Sequence, residues 1–256
     1  MQARALTFAA LASGVFTIGA QTPPAATHYR IQQVTDQEVD LTAAGQGKQQ
    51  KHSASSLFVS LTLTDSAAGR VAHFVVDSAV GDSTTAPESK AVLDSLRGQA
   101  FHAYLEKGKV SSIKALREGQ PTSTASALIL ALTPRVQRDT KAGAAWTDTT
   151  DVTNDIPNGN MTIRTVTNWK ASGNETREGT RALKVDAASS SAMTGEQAGA
   201  KLEGTGTATA TYYIAADGRL VSGSSSSNST LAITTSQLPD PIPLTLKSSL
   251  TITLLR

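Results

Sequence analysis

Leu244-Thr-Leu-Lys-Ser-Ser-Leu-Thr-Ile-Thr-Leu254 is the stretch from which the rest of the chain can be read. Leu244, Leu246, Leu250, Ile252 and Leu254 share one parity, while Thr245, Lys247, Ser249, Thr251 and Thr253 share the other. Side chains alternate across a strand, so this run has one apolar face and one wet face. Pro239, Pro241 and Pro243 separate it from residues 220–233, and Asp217-Gly218 joins that segment to residues 206–215. Gly accepts the positive φ of a tight hairpin and Asp supports the turn, which makes the C-terminal part an antiparallel meander.

The same alternation recurs upstream. Residues 28–41 read as a first strand, with Tyr29, Ile31, Val39 and Leu41 on one parity, and 43–51 as a polar turn or long hairpin loop. Leu57, Val59, Leu61 and Leu63 alternate with Phe58, Ser60, Thr62 and Thr64, and residues 71–80 follow as the partner strand. Residues 85–97 change period. Pro87 suits a first helical turn, Val92, Leu93 and Leu96 recur at helical spacing, and Gly98 suits the stop. A hairpin is expected over 101–105 and 110–116, then a second helix or buried strand over 123–132, ended by Pro134. From Trp146 strands resume, with Met161, Ile163 and Trp169 on one parity and 181–187 as a further strand. Residues 188–205, rich in Ser, Ala and Gly, read as a loose connection; 224–229 read as a hydroxyl-lined strand face or a frayed loop.

The expected fold is therefore mainly β, of the α+β kind: a large curved antiparallel sheet or half-barrel with two short helices in the middle of the chain. A core of this composition must be aliphatic, because aromatics make up only 4% of the 256 residues. The formal net charge of +2 gives no electrostatic reason to expect nucleic acid as a partner. Cysteine is absent, which removes disulfides, thiolate ligands, a cysteine nucleophile and a lipidated cysteine. Residues 1–20 read as a signal peptide: Arg4 supplies the basic end, 5–19 carry no charge, and Ala20 precedes the expected cut. Residues 21–27 read as a linker. Residues 28–256 read as a single β-rich domain, or as two similar sheet halves over 28–133 and 134–256. No segment of the mature chain reads as a transmembrane helix, and the location expected is periplasmic or extracellular.

No stretch carries a catalytic signature. His28, His52, His73 and His102 lack metal-ligand spacing, although His73 and His102 fall in strands that can meet; no metal and no cofactor are expected. No Gly-x-Ser-x-Gly elbow occurs, and Ser123 and Ser126 lack a Lys at the Ser-x-x-Lys spacing. A Ser-His-Asp set assembled from distant strands stays open, since such sets are defined by geometry. Asp148 and Asp151 read as solvated carboxylates rather than a glycosidase pair, and Gly204-Thr-Gly206 is too short for a phosphate cradle. Phe74, Phe101, Tyr104, Trp146, Trp169 and Tyr212 are the main large side chains. With Leu61 they are either core packing or the lining of a cavity between sheet and helices that would take a lipid or other apolar small molecule. Three turns share a Gly, a base and an apolar residue: Gly69-Arg70-Val71, Gly108-Lys109-Val110 and Gly218-Arg219-Leu220. They read as hairpins with a solvated base, the alternative being a repeated basic rim.

In order of elements the chain resembles an uncharacterised family of exported bacterial β-rich proteins. The resemblance rests on a Pro-containing stretch leading to Gly143-Ala-Ala-Trp146 and on a closing Asp217-Gly218-Arg219-Leu220 hairpin. More distantly it resembles the half-barrel of periplasmic lipoprotein carriers, which implies apolar-ligand binding without chemistry and transfers no functional residue. The expected function is thus an exported, non-enzymatic protein binding an apolar ligand or envelope component. The alternatives are a structural or adhesive cell-surface β module and a hydrolase with dispersed residues. An outer-membrane barrel is disfavoured by the absence of aromatic girdles and of an aromatic C-terminus.

Overall fold

Every alternating run of the sequence forms a strand, and all eleven strands join one antiparallel sheet. The computed structural model describes residues 25–255 except 67, 68, 84, 86, 107, 108, 118–127, 137, 138 and 157. The strands are β1 (Thr27–Asp40), β2 (Lys48–Ser66), β3 (Gly69–Gly81), β4 (Ala100–Glu106) and β5 (Lys109–Ala115), then β6 (Ala145–Ile156), β7 (Gly159–Arg177), β8 (Thr180–Gln197), β9 (Ala200–Ala215), β10 (Leu220–Thr234) and β11 (Ile242–Leu255). Two short helices, α1 (Pro87–Leu96) and α2 (residues 128–132), interrupt them, and a 3₁₀ turn spans Thr42–Ala44. The expected second helix lies outside the described residues over 123–127, as does the leader.

The spatial order is β5-β4-β3-β2-β1-β11-β10-β9-β8-β7-β6, and the sheet is not closed. The first and last strands pair at its centre, with Tyr29 opposite Leu254 and Ile31 opposite Ile252. Two consequences follow. β1–β5 form one flank and β6–β11 the other, and β5 and β6, neighbours in sequence, lie at opposite edges. The described part of the connector between them crosses a face of the sheet as a strap, burying Leu128, Ile129 and Leu132 in the same core as Tyr29, Ile31, Val59, Phe74, Phe101, Trp169, Val185 and Ile252.

The strapped face is concave. Neighbouring strands lie about 4.8 Å apart, so β3 and β10, with three strands between them, would stand roughly 19 Å apart on a flat sheet. Yet the Arg70 Nη2 of β3 donates to the Asp217 carbonyl, in the turn before β10, at 3.0 Å. Tyr29 likewise reaches beneath β11 to donate its hydroxyl to the Leu220 carbonyl at 2.8 Å. Register shifts at Phe58/Val59, Tyr104/Leu105, Ala171/Gly173 and Leu220/Ser222 add the local twist that curls a sheet, and all four lie at this end of the strands. Gly69 belongs to the same curl. Its φ is +139°, and a Cβ there would sit 2.2 Å from the Leu105 carbonyl oxygen.

Away from the core the middle of the long strands carries mostly small and hydroxylated side chains, such as Thr167, Ser189, Ala208 and Ser227 on the inner face and Ala188, Thr209 and Ser226 on the outer. Residues 188–205, expected to be a loose connection, are the ends of β8 and β9, in register from Ala188↔Thr209 to Gln197↔Ala200. Residues 224–229 are the hydroxyl-lined strand face rather than a frayed loop, paired with β9 and β11 throughout. Backbone ladders and cross-strand hydroxyl contacts such as Thr167–Ser189 (2.8 Å) and Thr165–Ser191 (2.9 Å) hold this region, in which Leu202 of β9 is buried opposite Ile233.

Because Ile129 is fully buried, Ile129→Ala is expected to lower stability by about 3 kcal/mol in urea unfolding, comparable with Ile31→Ala. A loss below about 0.5 kcal/mol would show the strap to be a surface loop, since changes away from the core stay within that range.

Candidate functional site: the cleft beneath the strap

The strap is tied down at the C-terminal end of its buried turn. Thr133 donates its hydroxyl (2.6 Å) and its amide (2.8 Å) to the Ile129 carbonyl, which closes α2. Pro134 prevents the helix from continuing, and the Val136 amide donates to the Pro134 carbonyl at 2.7 Å. Between them Arg135 forms an ion pair with Asp148 on edge strand β6. Their side chains are 20% and 8% exposed, so Asp148 is a buried anchor and not the solvated carboxylate expected from its Thr-rich surroundings. Asp151 faces water and meets Arg164 at 3.6 Å.

A cleft of about 600 Å³ opens between this strap and the curled end of the sheet. Leu63 of β2, Leu105 of β4, Leu132, Pro134 and Val136 of the strap and Ile214 of β9 give it an aliphatic lining. Asp65, Arg70 and Asp139 stand at its rim. A second depression of about 570 Å³ shares Arg70, Val136, Ile214 and Gly218 with it and extends it toward Lys141, Asn174 and Arg181. Arg70 is the fixed point between the two. Its Nε donates to Asp65 at 3.2 Å while its Nη2 holds the Asp217 carbonyl. Two of the three look-alike turns therefore meet here, and Arg70 is a bridging residue with a side chain only 22% exposed, not a solvated base. The third turn, at 107–108, lies outside the described residues. On the other side of the strap a smaller hollow of about 320 Å³ is lined by Leu130, Arg135, Asp148, Trp169 and Tyr212.

The seven residues singled out from sequence divide into three groups. Leu61, Phe74 and Phe101 are buried in the core of the β1–β5 flank, with the two rings 6.3 Å apart. Trp146, Trp169 and Tyr212 form a ladder on the other flank: the indoles stack at 5.8 Å and Tyr212 lies 6.1 Å from Trp169. Trp169 and Tyr212 line the smaller hollow, and Trp169 Nε1 is buried without an acceptor among the described residues. Burial raises the pKa of the Tyr212 hydroxyl. Tyr104 has the opposite parity to buried Phe101, Ala103 and Leu105, and its ring lies 5.5 Å from the Lys114 ammonium. None of the seven lines the main cleft. Its aliphatic residues come from four separate segments, and only the shared parity of Leu63 with Leu57, Val59 and Leu61 hinted at one of them.

The opposite face carries polar clusters. His73 and His102 are register partners with rings 5.2 Å apart, and burial, then the neighbouring imidazole, lowers the pKa of His73. Ser60 stands between His28 (2.9 Å) and Asp77, donating to the carboxylate at 2.6 Å. A relay needs the imidazole between hydroxyl and carboxylate, so this order does not make a Ser-His-Asp nucleophile. His52 pairs with Asp36 at 2.6 Å, a contact that raises the His52 pKa. A shallow groove runs across the Thr and Ser rows, floored by Ala188 and lined by Thr209, Thr211, Ser224, Ser226 and Thr251, with Asp186 held by Ser172 and Thr211 at its end. Among the described residues no group of three His, Asp or Glu side chains is placed to hold a metal ion, and no helix is long and apolar enough to cross a membrane.

No protein-family model matches the chain, and no curated protein matches it in sequence.

Two measurements test this geometry. Arg135→Met should raise amide exchange over residues 128–136 by about tenfold or more while leaving β1 and β11 protected, because breaking one side of a buried pair costs several kcal/mol. In a pH titration followed by NMR, His73 should titrate below the ordinary value of about 6.5. His102→Gln should move it upward only in part, since burial remains. As the folded-state pKa is depressed, His73 contributes stability above about pH 6.5 that is lost as the pH falls through its folded value.

Proposed function

We propose that this chain is an exported, non-enzymatic protein that holds an apolar ligand, such as an acyl chain, in the cleft beneath the strap. The observation that carries the reading is the aliphatic cleft itself. Leu63, Leu105, Leu132, Val136 and Ile214 converge on about 600 Å³ at the concave end of an open sheet, within the ~300–1,000 Å³ of small-molecule sites. A dead-packed domain would fill that volume with side chains. Export rests on residues 1–20, with Arg4 ahead of an uncharged apolar run. The resemblance to lipoprotein carriers is in keeping with the open, strapped sheet.

Native mass spectrometry of protein purified from a bacterial envelope fraction should find a reproducible extra mass that solvent extraction removes. An apo mass that persists after incubation with envelope lipids would overturn the reading. Ile214→Phe, which fills the cleft, should weaken binding by about tenfold for a stability loss of ~1–3 kcal/mol, checked by thermal unfolding alongside lipid titration.

A structural or adhesive surface module is the second reading. It is favoured by the outer rows of hydroxyls, where Ser249, Ser226 and Thr209 occupy successive register positions on β11, β10 and β9. Such a role predicts self-association or surface attachment that survives Ile214→Phe.

A further inference from the structure

The cleft has an electrostatic direction. Its extension beyond Arg70 is lined by three cations, Arg70, Lys141 and Arg181, together with Thr140 and Asn174. No carboxylate is among the described residues lining it. Of the acids next in sequence to its lining, Asp217 turns its side chain to its own hairpin, where Oδ1 accepts the Arg219 amide at 2.9 Å and Oδ2 lies 3.6 Å from Arg219 Nε; Glu175 lies 3.9 Å from Lys184, and Asp139 stands at the rim of the aliphatic cleft. Asp65, which balances Arg70, lines the aliphatic cleft and not this extension. With a net charge of only +2 on the whole chain, Lys141 and Arg181 gathered beside the paired Arg70 are a local feature. Moreover, the charges are held at one end of an aliphatic channel, since Arg70, Val136, Ile214 and Gly218 belong to both spaces.

We infer that the ligand is an anionic amphiphile, with its acyl chain under the strap against Leu63, Leu105, Leu132 and Ile214 and its headgroup at Arg181 and Lys141. This rests on the apolar-ligand reading above and names the chemistry of the ligand's other end. Arg181 shares the parity of Leu183 and Val185 on β8, so it stands on the face that carries the cleft. Lys141 lies on the strap near its junction with β6. The headgroup site is therefore divided between sheet and strap, and a bound anion would tie the two together. Arg70 sets where the chain ends and the headgroup begins, because its guanidinium is already committed to Asp65 and the Asp217 carbonyl.

Carboxylate and phosphate headgroups share this chemistry, and three probes separate the possibilities: palmitate, palmitoyl lysophosphatidate and neutral hexadecanol. Calorimetric titration of the purified protein at pH 8 and low salt should show at least one anion binding about tenfold more tightly than the alcohol, the scale set by two exposed charge contacts. That margin should shrink at 0.5 M salt. The double variant Arg181→Gln, Lys141→Gln should bring the anion down to the alcohol and leave the alcohol unchanged; both residues are exposed, so its thermal midpoint should match the parent's. Equal affinities for all three probes in the parent protein, or an anion preference that survives in the double variant, would overturn the inference while leaving the apolar reading intact. Failure of all three to bind would remove both.

Discussion

The pairing of β1 with β11 in the middle of the sheet is the constraint on which the rest of this structure depends. Once the first and last strands are neighbours, the meander must grow outward in both directions. The two strands that end up as edges, β5 and β6, are then consecutive in sequence. An antiparallel neighbour can be reached by a two-residue turn, but the opposite edge of an eleven-stranded sheet cannot. The connector must cross a face, and a chain crossing an apolar face is stabilised by burying what it carries. Leu128, Ile129 and Leu132 are the result, each removing a large aliphatic side chain from water at about 1.5–3 kcal/mol. Topology thus creates the strap, and the strap creates the cleft.

The core occupies only part of each strand's length. From Thr27 to Ile31, across Ile252, Tyr212, Val185 and Ala171, the inner face is apolar and covered. Further along, the same face carries Thr35, Ser248, Ser227, Ala208, Ser189 and Thr167 in register. Small hydroxylated side chains suit a sheet wetted on both faces, because they pair across strands without exposing large apolar surface. The sheet edges are protected in a similar spirit. β6 is laced with Thr and Asp, and Asp148 is occupied by Arg135 of the strap, so the edge presents charge and a covering segment to any incoming strand.

Much of the fold was legible because burial on one face leaves a period-two trace. Leu57 to Leu63, Phe101 to Leu105 and Leu250 to Leu254 announce their strands, and Pro87 and Gly98 bracket α1 where the structure places it. The segment 188–205 was misread for the complementary reason. Its strands lie beyond the covered region, where Ser, Ala and Gly fill most positions and the buried Leu202 leaves no alternation to detect. What holds it is backbone pairing to neighbours on both sides, a property of partners and not of its own composition. The site was less legible still. A search weighted toward large rings found the tightly packed core and the Trp146–Trp169–Tyr212 ladder, whereas the cleft is lined by medium aliphatic side chains from β2, β4, β9 and the strap. Nothing in the local sequence of Ile214 or Val136 sets them apart from other core residues; they line a cleft because the curl leaves space between them.

That curl is itself held by polar contacts at its end. Arg70 and Tyr29 each donate to a carbonyl in or next to the β9–β10 turn, Asp217 and Leu220 respectively, from strands that are not its sheet neighbours. Both carbonyls accept side-chain bonds only when the sheet is bent to this degree, so curvature is coupled to hydrogen bonding at specific points. The hydroxyl of Tyr29 is fully buried, and burial drives its pKa well above the usual tyrosine range, keeping it a neutral donor throughout the physiological range. Arg70 stands at the opening and is partly wetted. The deep contact fixes the bend, while the outer one places a guanidinium where the aliphatic cleft gives way to the cationic mouth. A fold that needed its strap for topological reasons thereby acquires a channel whose two ends differ in polarity.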